Sequence, residues 1–391
     1  MRLGQLIETL PGIRAVQGDL GVEISLITAD SRQVVPGALF VAYRGVGVDG
    51  AKYVPDALRR CAVAVAGEAE PGNWPVPYVQ VDNGRSALAW LHAAWYGHPS
   101  RSMTIVGITG TDGKTTTANV LFGILKASGI RAAMISTVNA IIGDQGYDTG
   151  LHTTTPDAAD VQRLLAQMRD AGTEVAVLET TSHGLAQHRV GAIDFDIAVV
   201  TNITHEHLDF HGSYEAYRDA KATLFRALLG VQEGAEAASL PARGGLSDVP
   251  KTAVLNADDA SFLYLAAIPA ERTIVYTAEV GDRAAAIRQA FVAGAPVTVL
   301  QATGVRQAPA GMSFEMHRHD AGMASAPVGL TTHLVGQYNV SNVLAAAGAA
   351  LALGIGPAVI AEGVAAFEGL IGRLERIDRG QPFTAVVDFA H

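Results

Sequence analysis

The residues with the plainest chemistry lie together, where residues 107–116 read Gly-Ile-Thr-Gly-Thr-Asp-Gly-Lys-Thr-Thr directly after an apolar run that begins at Met103. Small residues let backbone N–H groups close around the β- and γ-phosphates of a nucleotide, a lysine adds a mobile positive charge, and a threonine hydroxyl can hold Mg²⁺. Gly110, Thr111, Asp112, Gly113, Lys114, Thr115 and Thr116 are therefore the candidate cradle for ATP. The spacing departs from the usual G-x-x-x-x-G-K-[ST], with Gly107 one place early, so the loop is a variant of that class. A turn that merely joins strand to helix has no need of a Lys-Thr-Thr run.

Other polar residues follow apolar runs further along. Glu179 comes after the run 174–178, where a carboxylate at a strand's carboxyl end either reaches Mg²⁺ beside the phosphates or caps the next helix. His207 lies just beyond the run 197–201. Its segment, Thr-His-Glu-His-Leu-Asp-Phe-His from Thr204 to His211, nearly spells the H-x-H-x-D-H of binuclear metallo-hydrolases. Phe210 intervenes before the last histidine and re-aims it, and such a hydrolase has no use for a phosphate loop. A Ser213 cap then opens a helical pattern that puts Tyr214, Tyr217 and Lys221 on one face. A lysine on an aromatic face either snorkels to water or, buried near cations, loses its proton and reacts with CO₂. The resulting carbamate is a metal-binding anion.

These residues need a scaffold that gathers strand ends. Residues 1 to about 98 alternate short β-like runs (24–28, 39–42, 62–66, 77–81) with helical patterns. From about 103 to 370 the pattern is apolar strand, polar loop, helix, with strands expected at 104–108, 132–135, 174–178, 197–201, 252–255 and 273–276. Near-continuous apolar strands alternating with helices predict an α/β fold, a mostly parallel sheet covered on both faces, with active residues at the carboxyl ends. Residues 231–250 read as a surface loop, and 297–335 as added antiparallel hairpins. Residues 343–361 carry no charge, but Gly354-Ile355-Gly356-Pro357 breaks them into two buried helices rather than a membrane span. The last residues, from Ala385 to His391, read as a strand that opens a further domain, as expected of a truncated chain.

Composition sets outer bounds. With 391 residues, 49% of them hydrophobic and 17% charged, the chain is globular and large enough for at least two domains. A net charge of −10 argues against nucleic-acid binding. The single cysteine, Cys61, excludes a disulfide framework and suits a reducing cytosol, and Glu8 interrupts what would be a signal-peptide core, so a cytoplasmic location is expected.

Taken together, six motifs in order resemble the Mur ligase family, nearest to its MurE branch. They are GITGTDGKTTT, ETTSHGLAQHR, TNITHEHLDFHGSYEAYRDAK, GQYNVSNVLAA, GRLERID and VVDFAH, preceded by ITADSRQVVPGALFVA in the first unit. The resemblance spans nearly the whole chain. It implies a UDP-substrate-binding domain at 1–98, a central ATP-binding domain at 99–370 and the start of a C-terminal ligase domain at 371–391. The implied reaction is ATP-dependent addition of a third amino acid, most commonly meso-diaminopimelate, to UDP-N-acetylmuramoyl-L-alanyl-D-glutamate in peptidoglycan synthesis, through an acyl phosphate. The selecting domain is the third, so L-lysine and L-ornithine stay open, and the chain by itself is expected to bind substrates with little or no turnover. A folylpolyglutamate-synthetase-like ligase shares the loop but not a UDP domain of this kind.

Residue by residue, the resemblance implies ATP contacts from Gly110 to Thr116, with Asn339 and Arg373 on the nucleotide. Thr115 and Glu179 would hold one Mg²⁺, and His207 with carbamylated Lys221 a second. Ser31 would meet the uridine end, and Thr154, Thr155, Thr181, Gln187 and Arg189 the muramoyl-dipeptide. Lys114, Glu179, His207 and Lys221 form the implied catalytic set, in a protein expected to be monomeric. Three departures from the family pattern stand out: Asp112 where Asn is usual, Thr181 for Ser, and His205-Glu206 for an Arg-Asp pair.

Overall fold

The structure, a computed structural model, describes residues 1–45, 47–137, 140–143, 145–147, 155–230, 240–246, 249–278, 287, 297–308, 310–320, 323–370, 375–377, 379–381, 383 and 385–388. Two sheets organise them. The first has five strands in the order Ile13–Gln17, Tyr78–Val81, Ala64–Gly67, Ala38–Ala42, Leu26–Thr28, the last four mutually parallel. Ile13–Gln17 adds antiparallel to Tyr78–Val81 and is an edge strand that the apolar runs do not reveal, because its residues are half-buried or exposed. Helix Gly84–Trp95 covers this sheet. Asn83 opens it by accepting the backbone N–H groups of Arg85 and Ser86.

The second sheet has twelve strands. Seven are parallel, in the order Ala132–Ile135, Val175–Glu179, Thr104–Thr109, Ile197–Val200, Thr252–Asn256, Arg272–Thr277, Val297–Ala308. All six expected strands of the central unit are present. The expected hairpins are present and attached to the sheet: Val297–Ala308 pairs parallel to Arg272–Thr277 on one side and antiparallel to Gly311–Asp320 on the other, and Gly311–Asp320 pairs in turn with Val328–Thr332. Within 231–250, the described residues 240–246 and 249–250 form no helix or strand.

Strand alternation splits the central core in two. Val106, Ile108, Val177, Val199, Val254 and Ile274 face helices Lys114–Ala127, Tyr338–Ala352 and Pro357–Ala366. Ile105, Ala176, Leu178, Ala198 and Val275 face helices Ala158–Asp170 and Tyr214–Arg226. The uncharged stretch is the expected helix pair, broken where Gly354 takes φ +82°. Gly348 sits where a Cβ would meet Val254 at 2.8 Å, so Tyr338–Ala352 lies directly on the sheet. Among the described residues no helix is long and apolar enough to cross a membrane. Glu375–Ile377 and Ala385–Val387 pair as a separate two-stranded sheet.

At the amino ends of the parallel strands, buried charges bind the scaffold. Lys251 Nζ reaches Asp194 at 2.6 Å and Asp196 at 3.4 Å, Arg101 pairs with Asp194 at 3.0 Å, and Arg243 with Asp196. Truncating one carboxylate leaves buried cations short of a partner, which in the general case costs about 3–5 kcal/mol. Asp194→Ala is expected at the low end, about 3 kcal/mol, because Asp196 stays near Lys251. Urea unfolding checks it, and a loss below about 1 kcal/mol would show that the cluster does not hold the strand ends.

Candidate functional site

The parallel strand Thr104–Thr109 delivers the glycine-rich loop between two neighbours, Val175–Glu179 and Ile197–Val200, so three carboxyl ends converge. Helix Lys114–Ala127 starts immediately after Gly113, directing its unpaired N–H groups and positive dipole end at the loop. Packing leaves no room for side chains at two positions. A Cβ at Gly110 would lie 1.8 Å from Thr201 Oγ1, and one at Gly113, where φ is +79°, would lie 2.1 Å from Asn342 Oδ1.

The loop is clamped from behind by residues that sequence reading passed over. Thr111 N donates to the Asn202 carbonyl at 2.7 Å, Asp112 N donates to Asn202 Oδ1 at 3.0 Å, and Thr201 Oγ1 donates to the Asp112 carbonyl at 2.5 Å. Asp112 is exposed, and its extra charge is felt at Lys221 and Tyr217 within the site. Asn339 and Asn342 are buried and joined at 2.8 Å, which ties the first turn of Tyr338–Ala352 to Gly113. Asn339 thus backs the loop, and its amide nitrogen is held by the Val335 carbonyl. Thr116 is half-buried in the first turn of the loop's helix.

Glu179 is 2% exposed and accepts Thr115 Oγ1 at 3.1 Å, Thr137 Oγ1 at 2.8 Å and Thr137 N at 3.0 Å. A carboxylate with two threonine hydroxyls is an all-oxygen set, which suits Mg²⁺ completed by phosphate oxygens and water rather than a thiolate or imidazole metal. Among the described residues no three His, Cys, Asp or Glu side chains converge as a metal cage. The hydrolase-like segment accordingly does not assemble. His205 stacks on Tyr214 with ring centroids 4.9 Å apart, whereas His207 and His211 gather around His183 at 4.7 and 5.5 Å.

Lys221 is the most unusual group here. It is 1% exposed, its Nζ donates to the Gly110 carbonyl at 2.6 Å, and it lies 4.5 Å from the Tyr217 ring centroid. Lys114 Nζ donates to the same carbonyl at 3.0 Å and to that of Thr111 at 2.7 Å. Burial, reinforced by the Lys114 charge, pushes the Lys221 amine well below the ordinary lysine range. Burial together with neighbouring cationic groups also pushes His211 down to about 4 and lowers His183. His207 takes φ +54° as it opens the short helix Leu208–His211, and its ring lies 6.2 Å from that of Tyr217. The Tyr217 hydroxyl meets Thr111 Oγ1 at 3.0 Å, so one ring touches both the loop and the lysine.

A second group adjoins the first. Thr155 Oγ1 meets Thr181 Oγ1 at 3.1 Å and the Glu179 carbonyl at 3.3 Å, while Arg189 donates to the Thr155 carbonyl and to Gln187 Oε1, both at 2.8 Å. Thr181 also caps helix Ser182–Ala186. The following turn touches the first sheet's helix, His188 lying 3.3 Å from Asn83. Ser31 belongs to that first unit, buried at the start of a single turn capped by Asp30. Thr154 and Arg373 lie outside the described residues.

Of the neglected partners, Thr201 and Asn202 sit at the carboxyl end of the strand Ile197–Val200, beside the loop, a position that could have flagged them. Thr137 follows the strand Ala132–Ile135 and carries the same signal, whereas Asn342, inside a helix, does not.

The packing at Gly113 gives a direct test. Gly113→Ala is expected to weaken ATP binding at least about tenfold in calorimetric titration while leaving the fold intact. Adding Asn342→Ala removes the clashing amide and should recover part of that loss; no loss in the single variant would contradict the tight fit described.

Comparison with known proteins agrees with this geometry. Residues 108–350 match the family model described as the Mur ligase middle domain, and residues 23–96 the one described as Mur ligase family, catalytic domain. The chain is 43% identical over 376 residues to the UDP-N-acetylmuramyl-tripeptide synthetase of Roseiflexus sp. (strain RS-1), covering 94% of this chain and 68% of that one. It is 38% identical over 394 aligned positions to the UDP-N-acetylmuramoyl-L-alanyl-D-glutamate–2,6-diaminopimelate ligase of Geobacillus thermodenitrificans (strain NG80-2), covering 100% and 72%. A solved 2,6-diaminopimelate ligase of that name shares the fold, with TM-score 0.74 at 24% identity over 100% of this chain and 71% of the other. The chain belongs to the Mur ligase family, the ATP-dependent amide ligases of peptidoglycan synthesis.

Proposed function

We propose that this ligase joins an amino acid, meso-diaminopimelate, to the D-glutamyl γ-carboxylate of UDP-N-acetylmuramoyl-L-alanyl-D-glutamate. The observation that carries the reading is the Thr155–Thr181–Gln187–Arg189 group, one hydrogen bond from the backbone of Glu179 and so beside the phosphate loop. A guanidinium there can take a substrate carboxylate in paired hydrogen bonds and hold it where a γ-phosphate would arrive. The choice of diaminopimelate follows the named activity of the Geobacillus relative, with L-lysine and L-ornithine as competitors.

In this scheme Gly110 to Thr116 cradle the triphosphate, with Asn339 and Arg373 serving the nucleotide. Lys114 screens repulsion between triphosphate and carboxylate, the main barrier to forming an acyl phosphate. Thr115 and Glu179 would hold Mg²⁺, which adds further charge neutralisation. Lys221, as its carbamate, and His207 supply anionic and imidazole donors for a second cation. Ser31 and residues 1–98 take the uridine end, Thr154 joins the dipeptide contacts, 99–370 carry the chemistry, and 371–391 begin a further unit. The incoming amine attacks the acyl phosphate, releasing phosphate, and no side chain becomes a covalent nucleophile. The chain acts as a monomer in the cytoplasm.

Two measurements test this. Calorimetry should detect UDP-N-acetylmuramoyl-L-Ala-D-Glu binding, weakened at least about tenfold by Arg189→Ala through loss of a charge-assisted contact. Phosphate release from ATP with Mg²⁺, the UDP-dipeptide and one of the three amino acids at a time, measured on a version extended through a third domain, should identify the acceptor. A chain that binds ATP but not the UDP-dipeptide would overturn the assignment.

A further inference from the structure

Thr109, the last residue of the strand Thr104–Thr109, is fully buried, yet its hydroxyl has no hydrogen-bond partner among the described residues. Leaving a buried hydroxyl unpaired costs about 1–3 kcal/mol, so an orphan of this kind needs a reason. Its main chain is not the cause, since the Thr109 carbonyl accepts Thr201 N at 3.0 Å.

The side chain's direction follows from strand alternation. Val106 and Ile108 face the layer of Lys114–Ala127, so Ile105, Gly107 and Thr109 face the layer of Tyr214–Arg226. Gly107 fixes the register: a Cβ there would meet Leu224 Cδ1 at 2.7 Å. Thr109 is the next position on that face, and Lys221 is one helical turn before Leu224. The strand and helix therefore turn the Thr109 side chain towards the layer that carries Lys221, whose Nζ reaches the carbonyl of the adjacent Gly110 at 2.6 Å.

We propose that Thr109 is a positioning residue whose hydroxyl donates to an oxygen of a carbamate on Lys221. The inference rests on the carbamate in the proposed function and deepens it. In the step, the neutral Lys221 nitrogen uses its lone pair to form a C–N bond to CO₂. One C=O π pair moves to oxygen, and the nitrogen passes a proton to water. The product nitrogen keeps one N–H, enough to retain the Gly110 bond, while its new carboxylate needs donors besides the nearby Lys114 ammonium and the cation it would hold. Thr109 supplies one.

The test is ¹³C NMR of the whole chain titrated with ¹³C-bicarbonate, using Lys221→Met to assign the carbamate signal. Thr109→Val keeps the side chain's shape and removes the hydroxyl, and it should raise the bicarbonate needed for half-occupancy about tenfold, the size of one hydrogen bond to a charged group. Its unfolding midpoint should stay the same or rise, because an unpaired polar group is gone. Thr109→Ser should titrate like the parent. Equal titration of Thr109→Val and parent overturns the role of Thr109 while leaving the carbamate standing. Absence of any Lys221-dependent signal in the parent overturns the carbamate and, with it, this inference.

Discussion

The Gly110 carbonyl accepts two lysines, Lys114 at 3.0 Å and Lys221 at 2.6 Å, and much of the site follows from that sharing. Two ammonium groups on one oxygen repel, and in a buried setting the repulsion is poorly screened. One of them must yield. Lys114 is half-buried and keeps access to phosphate, whereas Lys221 is 1% exposed and takes the shift. Among the described residues a tyrosine ring lies against it and no carboxylate pairs with it directly, while Glu206, Asp112 and Glu179 act from further off and only partly oppose the shift. A lysine kept in this state has its lone pair available to CO₂, and the carbamate proposed above would replace a neutral amine with an anion beside the phosphate loop.

Holding that arrangement requires the whole carboxyl edge of the sheet. Glu179, Thr201 and the loop end three adjacent parallel strands, and helices starting at Lys114 and Tyr338 press on Gly113 from the other side. The glycines are needed less for flexibility than for clearance, since Thr201 and Asn342 occupy the space their side chains would fill. At the opposite edge, the buried Asp194–Lys251–Asp196 cluster fixes the strand ends that face away from the nucleotide. Chemistry and stability thus occupy opposite ends of the same strands.

How much of this the sequence disclosed depends on whether a residue's neighbours are local. The loop, the strands of the central sheet and the shared face of Tyr217 and Lys221 were legible, because each is a short-range pattern of spacing or period. The roles of Thr137, Asn342 and the orphaned Thr109 were not, even though Thr109 stands inside the loop motif and Thr137 just after a strand. Their significance comes from residues far away in the chain, Glu179 for Thr137, Gly113 for Asn342 and, as proposed, Lys221 for Thr109, and isolated threonines and asparagines carry no periodic signal. The edge strand Ile13–Gln17 escaped for another reason: an edge needs no apolar alternation when neither of its faces is fully buried. The hairpins across 297–335 were legible from their turn residues, whereas the parallel pairing with Arg272–Thr277 that attaches them to the sheet was not.

The central claim is that the loop delivers the γ-phosphate of ATP to a carboxylate of the UDP-dipeptide held beside Glu179. Positional isotope exchange tests it most directly, using ATP with ¹⁸O in the β–γ bridge and no amino acid present. An acyl phosphate that forms and reverts lets the β-phosphate of bound ADP rotate, so the label should scramble into β non-bridging positions only when the UDP-dipeptide is added. Scrambling without the dipeptide, or none in its presence at saturating concentration, would contradict the account.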